Sequence, residues 1–128
     1  MKQWTSELLE QEGYKIQNAK ISDVDLDMRD HGCLTLRLTL NGGGWGCVYG
    51  GYVLGKGYVD AKEFEGSKQG MESIMRIMDV VGSDTFNGMK NEIVRVATKG
   101  WGDSVKIIGN ALKEKWFDAG TFYTNDEE

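Results

Sequence analysis

One stretch, from Lys20 to Leu54, constrains the fold more than any other: KISDVDLDMRDHGCLTLRLTLNGGGWGCVYGGYVL. Val24, Leu26 and Met28 alternate with Asp23, Asp25 and Asp27, and Leu34, Leu36, Leu38 and Leu40 alternate with Cys33, Thr35, Arg37 and Thr39. A period of two is the signature of strands covered on one face. Ile16, Ala19 and Ile21 run in a different phase from Val24, which places a β-bulge near Ser22 in a first strand of about Tyr14 to Met28. RDHG turns the chain, and Asn41-Gly42-Gly43-Gly44 is a hairpin signal. A third strand then runs from Trp45 to about Leu54, interrupted by the Gly50-Gly51 pair. A turn between the first two strands sets Arg37 near the aspartates.

The flanks supply helices and further strands. MKQWTSELLEQEG reads as a short helix capped by Thr5 or Ser6 and stopped by Gly13. GKGYVDAKEFEG is a loop with a short strand around Tyr58 and Val59. Ser67 caps a helix over Lys68–Val81, whose apolar stripe takes in Met71, Ile74, Met75, Met78 and Val81 and is widened by Ile77 and Val80, and Gly82 ends it. SDTFNGMKN forms one helical turn, with Phe86 and Met89 facing inward. EIVRVAT and VKIIG are strands joined by KGWGDS, and Asn110 caps a last helix, ALKEKWFDAG. The expectation is an α+β fold: one domain over 1–128, with an antiparallel sheet of about 5–6 strands, a main helix on one face and short terminal helices. Residues 1–13 are expected to form a mobile helix, and 124–128 a frayed acidic tail.

Charge narrows the partners. The formal net charge of −5 opposes direct nucleic-acid binding, which needs a basic surface, and suits a basic protein partner. Two cysteines are too few for a disulfide framework, and neither a leader segment nor a membrane-length apolar run is legible, so the expected compartment is the cytoplasm.

Three constellations carry chemistry. Asp23, Asp25, Asp27 and then Asp30 form a ladder whose steps along a strand are about 6.6–6.8 Å, comparable to phosphates along a nucleic-acid strand. It reads either as a backbone mimic or as a solvated sheet face. A calcium loop is excluded, because Met28 and Leu34 stand where its glycine and bidentate glutamate belong. His31, Cys33 and Cys47 offer nitrogen and sulfur ligands for zinc. A hairpin centred on Asn41–Gly44, however, puts Cys33 opposite Tyr52 and Cys47 opposite Leu38, apart along the strands. Gly44-Trp45-Gly46 and Gly100-Trp101-Gly102 each follow a strand, and their rings either stand exposed as anchors or fold back over the sheet end. No catalytic motif is complete, so the chain reads as a binding protein rather than an enzyme.

At DHGCLT, GGWGC, GGYVLGKGY, ESIMRIMDVVG and KGWGDSVKIIGN the sequence resembles a family of short proteins encoded in phages and prophages of Gram-positive and gut bacteria, over about Ile21 to Phe117. The resemblance brings no catalytic residues. It implies a setting, an accessory protein acting against host defence in the bacterial cytoplasm, best matched by an anti-CRISPR inhibitor of a Cas9-type effector. In that reading Asp23, Asp25, Asp27 and Asp30 meet the basic channel that normally holds nucleic acid, and Trp45 and Trp101 serve as anchors. Two alternatives stand beside it. One is a small-ligand or nucleotide sponge with tryptophan-lined glycine loops, and the other is a zinc-binding structural or interaction protein.

Overall fold

The computed structural model describes residues 3–58, 63–100, 102 and 104–124, with Tyr58 described by its backbone alone. Among these residues the elements run α1 (Ser6–Gln11), β1 (Lys15–Asp30), β2 (Cys33–Gly42), β3 (Trp45–Tyr58), β4 (Glu63–Gly66), α2 (Lys68–Val81), a 3-10 turn at Asn87–Met89, β5 (Ile93–Thr98), β6 (Ile107–Asn110), β7 (Trp116–Asp118) and α3 (Ala119–Thr124). The seven strands make one antiparallel sheet in the order β4-β3-β2-β1-β5-β6-β7. The α+β architecture holds, with seven strands in place of five or six.

Both additional strands are short. β4 pairs with the far end of β3, Gly55 opposite Gly66 and Lys56 opposite Glu65; its EFEG sequence is too brief and too charged to show a strand pattern. β7 occupies residues expected to be helical. The Asn110 side chain accepts from the backbone N–H of Leu112 and Lys113, both at 2.9 Å. That is a side-chain turn, and it leads into a hairpin rather than a helix. The last helix therefore starts only at Ala119, near the end of the expected helical segment, and runs on to Thr124. Residues 125–128 of the expected acidic tail lie outside the described residues, as does Val59.

The β1 bulge falls where the phase change puts it, between Ile21 and Asp23. In the next hairpin Gly43 and Gly44 form a two-residue turn, so Gly42 faces Trp45 and Leu40 faces Cys47. Cys47 is thus opposite Leu40 rather than Leu38. Cys33 is opposite Lys56 rather than Tyr52, because the pairing slips across Thr35 and the Gly50-Gly51 bulge. Gly50 has φ +113, and a Cβ there would lie 2.3 Å from the Leu36 carbonyl oxygen, so only glycine fits.

The sheet curls around α2. This helix packs against β3 and also against β6 and β7 at the other end of the strand order. Leu36, Leu38, Leu40, Tyr49, Val94, Val96, Ile108 and Phe117 line the buried concave side with Ile77, Val80 and Val81 of α2. The helix ends are as expected: Ser67 Oγ accepts from Gly70 N–H at 2.9 Å, and Gly82 closes the helix at φ +90. Its buried face shares Ile77, Val80 and Val81 with the expected stripe but is rotated away from Met71 and Met75. Gly70, Ser73, Ile77, Val80 and Val81 turn inward, while Met71 and Met75 are exposed. Gly70 decides this rotation, since its lack of a side chain lets α2 settle directly on the backbone of Leu54. On the convex side α1 covers a second small core, in which Leu9 and Trp4 meet Ala97 and Ile107. Thr5 caps α1, its hydroxyl accepting from Leu8 N–H at 3.1 Å.

Candidate functional site

The helix leaves one end of the concave face uncovered. There β1 and β3 begin and β2 and β5 end, and the opening holds a cavity of about 380 Å³ lined by Lys15, Gln17, Trp45, Gly46, Cys47, Val96, Thr98, Gly100, Gly102 and Val105. The strand period explains the membership. Lys15 and Gln17 share the inward phase of buried Ala19, and Trp45 and Cys47 share that of buried Tyr49. Lys15 pairs directly with Thr98 across the ladder, and Gln17 with Val96. The result is an apolar wall with a rim of one ammonium, one amide and one hydroxyl, the composition of a small-molecule site and a volume within its usual range.

Trp45 is half-buried. Its indole lies flat over Gly42 on the neighbouring strand, where a Cβ would come within 2.1 Å of the ring. The ring therefore folds back over the sheet end instead of standing free, and it walls the cavity. Gly100 and Gly102, at φ +146 and +88, line the same cavity. The two Gly-Trp-Gly segments, distant in sequence, thus meet at one opening. Trp101 itself lies outside the described residues. Burial pushes the Cys47 thiol above its ordinary pKa, which keeps it protonated and weakly nucleophilic.

The aspartate ladder lies on the opposite, convex side. Asp23 is exposed, but Lys90 stands 3.8 Å away. Asp25 faces Arg37 across the ladder, yet the guanidinium reaches along the strand to Asp27, at 3.1 and 3.2 Å from its two oxygens. Arg29 adds a looser contact with Asp27 at 3.9 Å, and Asp30 is held by the His31 imidazole at 2.7 Å. Among these residues, four carboxylates against the three cations Lys90, Arg37 and Arg29 differ by a single negative charge.

The candidate zinc residues do not come together. His31 occupies the turn at φ +53 with its side chain 95% exposed, Cys33 faces Lys56, and Cys47 lies in the mouth. Among the described residues no three His, Cys, Asp or Glu side chains are grouped as a metal site. No described helix is long and apolar enough to cross a membrane.

No family model, curated protein or solved structure matches the chain. The site has to be read from its own residues. Sequence reasoning found Trp45 and Cys47 and missed Lys15, Gln17 and Thr98. The available signal was polar residues at 15 and 17 in phase with buried Ala19 and Ile21.

Proposed function

We propose that this protein binds a small, flat, anionic ligand in the mouth of its curled sheet. The meeting of both Gly-Trp-Gly segments at one cavity carries the reading. An aromatic ring stacks on the Trp45 indole, the Lys15 ammonium faces the negative group, and Gln17 and Thr98 supply directional hydrogen bonds. Nucleotides have this chemistry, which makes the sponge reading the one the geometry favours. A thermal-shift and tryptophan-fluorescence screen against cyclic mono- and dinucleotides tests it. A binder present at 100 times its Kd should stabilise the fold by about 2.7 kcal/mol, with the shift lost in Trp45→Ala. The same ligand should shield Cys47 from a thiol reagent in a Cys33→Ser background. A panel that neither shifts the melting curve nor slows labelling rejects the reading.

A second reading has one observation in its favour. Among the described residues Asp25 makes no hydrogen bond or ion pair, and Asp23 accepts from Val24 N–H at 3.0 Å and stands 3.8 Å from the Lys90 ammonium. We propose these two carboxylates as the contacts of an anti-defence protein with a basic channel, such as that of a Cas9-type effector. Pull-down with a purified effector at low and high salt addresses this directly. Retention that is indifferent to Asp23→Asn and Asp25→Asn speaks against it.

A further inference from the structure

The segment joining β5 to β6 has the mouth on one side and a second cavity on the other. This outer cavity, of about 240 Å³, is lined by Tyr14, Thr98, Lys99, Ser104, Lys106 and Asp118, with Ala97 and Ile107 at its base. Thr98 belongs to both linings. Lys99 and Lys106 stand at the two ends of the segment and are the basic residues of the outer cavity's described lining. Neither is ion-paired among the described residues. Lys99 is steadied by the Tyr14 ring, whose centre lies 4.9 Å from its Nζ. The Lys106 stem packs beside Gly120, and its carbonyl accepts from Ala119 N–H at 2.9 Å.

Asp118 brings negative charge to the same lining, but its carboxylate already has donors. One oxygen accepts from Trp4 Nε1 at 2.9 Å and the other from Thr121 N–H at 3.2 Å. Among the described lining residues, two lysines against one aspartate give a net positive charge, on a chain whose total charge is −5. The Ser104 and Thr98 hydroxyls add donors that suit an oxyanion. The space equals roughly eight waters at ~30 Å³ each, which is room for a tetrahedral anion with part of its hydration shell.

We propose that this outer cavity is an oxyanion site, taking phosphate or the phosphoryl group of a small metabolite between Lys99 and Lys106. It is separate from the ligand assigned to the mouth and does not depend on it. An anion bridging the two lysines pins both ends of the segment that carries Gly100 and Gly102, so filling the outer site steadies one wall of the mouth.

The test is a titration of the full chain with inorganic phosphate at low ionic strength, followed by backbone amide chemical shifts, with chloride at matched ionic strength as the control. Phosphate should give saturable shifts centred on residues 98–107, and chloride should not. Lys99→Gln and Lys106→Gln should each weaken binding at least about tenfold, the expected scale for losing one charged hydrogen bond. Trp45→Ala should leave it unchanged, which separates this site from the mouth. In the Trp45→Ala chain, where the mouth is disabled, adenosine monophosphate compared with adenosine distinguishes the source: tighter binding of the monophosphate than of phosphate identifies a phosphorylated metabolite, and weaker binding identifies the free ion. Shifts that never saturate, that chloride reproduces, or that survive both lysine substitutions overturn the proposal.

Discussion

The indole N–H of Trp4 donates to the carboxylate of Asp118 at 2.9 Å, joining residues 114 apart in sequence. Asp118 is almost fully buried at the end of β7, so this bond ties the N-terminal segment to the last strand and satisfies a charge that would be costly to leave alone. Trp4→Phe keeps most of the ring and removes the donor. It should cost about 1.5–3 kcal/mol, the range for hydrogen bonds to charged groups, read as a lower urea midpoint. In an Asp118→Asn background the same substitution should cost clearly less. Equal costs in the two backgrounds would show that the indole matters only for packing.

Gly70 sits inside α2 against β3, and a Cβ there would lie 2.7 Å from the Leu54 Cα and 2.8 Å from its carbonyl oxygen. In an open helix, Gly→Ala gains about 1 kcal/mol in propensity. Here the obstacle is backbone, which cannot rotate away, and overpacking of this kind costs about 1–3 kcal/mol. Gly70→Ala is therefore expected to destabilise on balance, whereas Lys68→Ala on the exposed first turn should change little. A melting temperature raised by Gly70→Ala would mean that α2 is not seated on Leu54.

These two contacts mark the limit of what the sequence shows. The hairpins of β1–β3, the Ser22 bulge and both caps of α2 were legible because each rests on a local rule of alternation, glycine placement or capping. β7 was not, because Trp116 is held there by covering Gly109, where a Cβ would lie 2.4 Å from the ring, and that is a contact between elements rather than a pattern along one. The rotation of α2 was hidden for the same reason: a methionine stripe looks like a core until Gly70 is seen against Leu54. The mouth was half legible. Trp45 and Cys47 stood out by residue type, but only the curl of the sheet brings Lys15 and Thr98 beside them.

The pairing of Gly42 with Trp45 gives a test confined to the mouth. A Cβ on Gly42 meets the indole at 2.1 Å, so Gly42→Ala must push the ring off the sheet and into the cavity. Gly42 is half-exposed at the strand end, so the cost to stability should stay near 1 kcal/mol, the usual scale for a point substitution. The effect on the mouth should be larger. Tryptophan emission should change, and Cys47 should react at a different rate with a thiol reagent in the Cys33→Ser background. Unaltered emission and labelling would place the Trp45 ring elsewhere.

Glu114 provides a pH signature for the convex side. Its carboxylate accepts from Ser6 N–H at 2.6 Å and from the Ser6 hydroxyl, with Trp116 Nε1 at 3.3 Å and Arg95 at 3.2 Å completing the set. The two Ser6 bonds, chiefly, lower its pKa from 4.5 to about 2. A carboxylate whose folded pKa is depressed stabilises the fold fully above its unfolded value, and that contribution fades as pH falls from about 4.5 towards 2. Because the side chain is 48% exposed, solvent screens the interaction and its worth is held to about 1 kcal/mol or less. Arg95, whose guanidinium also donates to the carbonyls of Asn110 and Lys113, would then face Ser6 without its counter-charge in Glu114→Gln. Urea midpoints should accordingly show Glu114→Gln weaker than the parent chain at neutral pH, with the gap narrowing as the parent loses the same charge near pH ~2. A gap that stays constant between these limits would mean the carboxylate is not what anchors Ser6 and the start of α1.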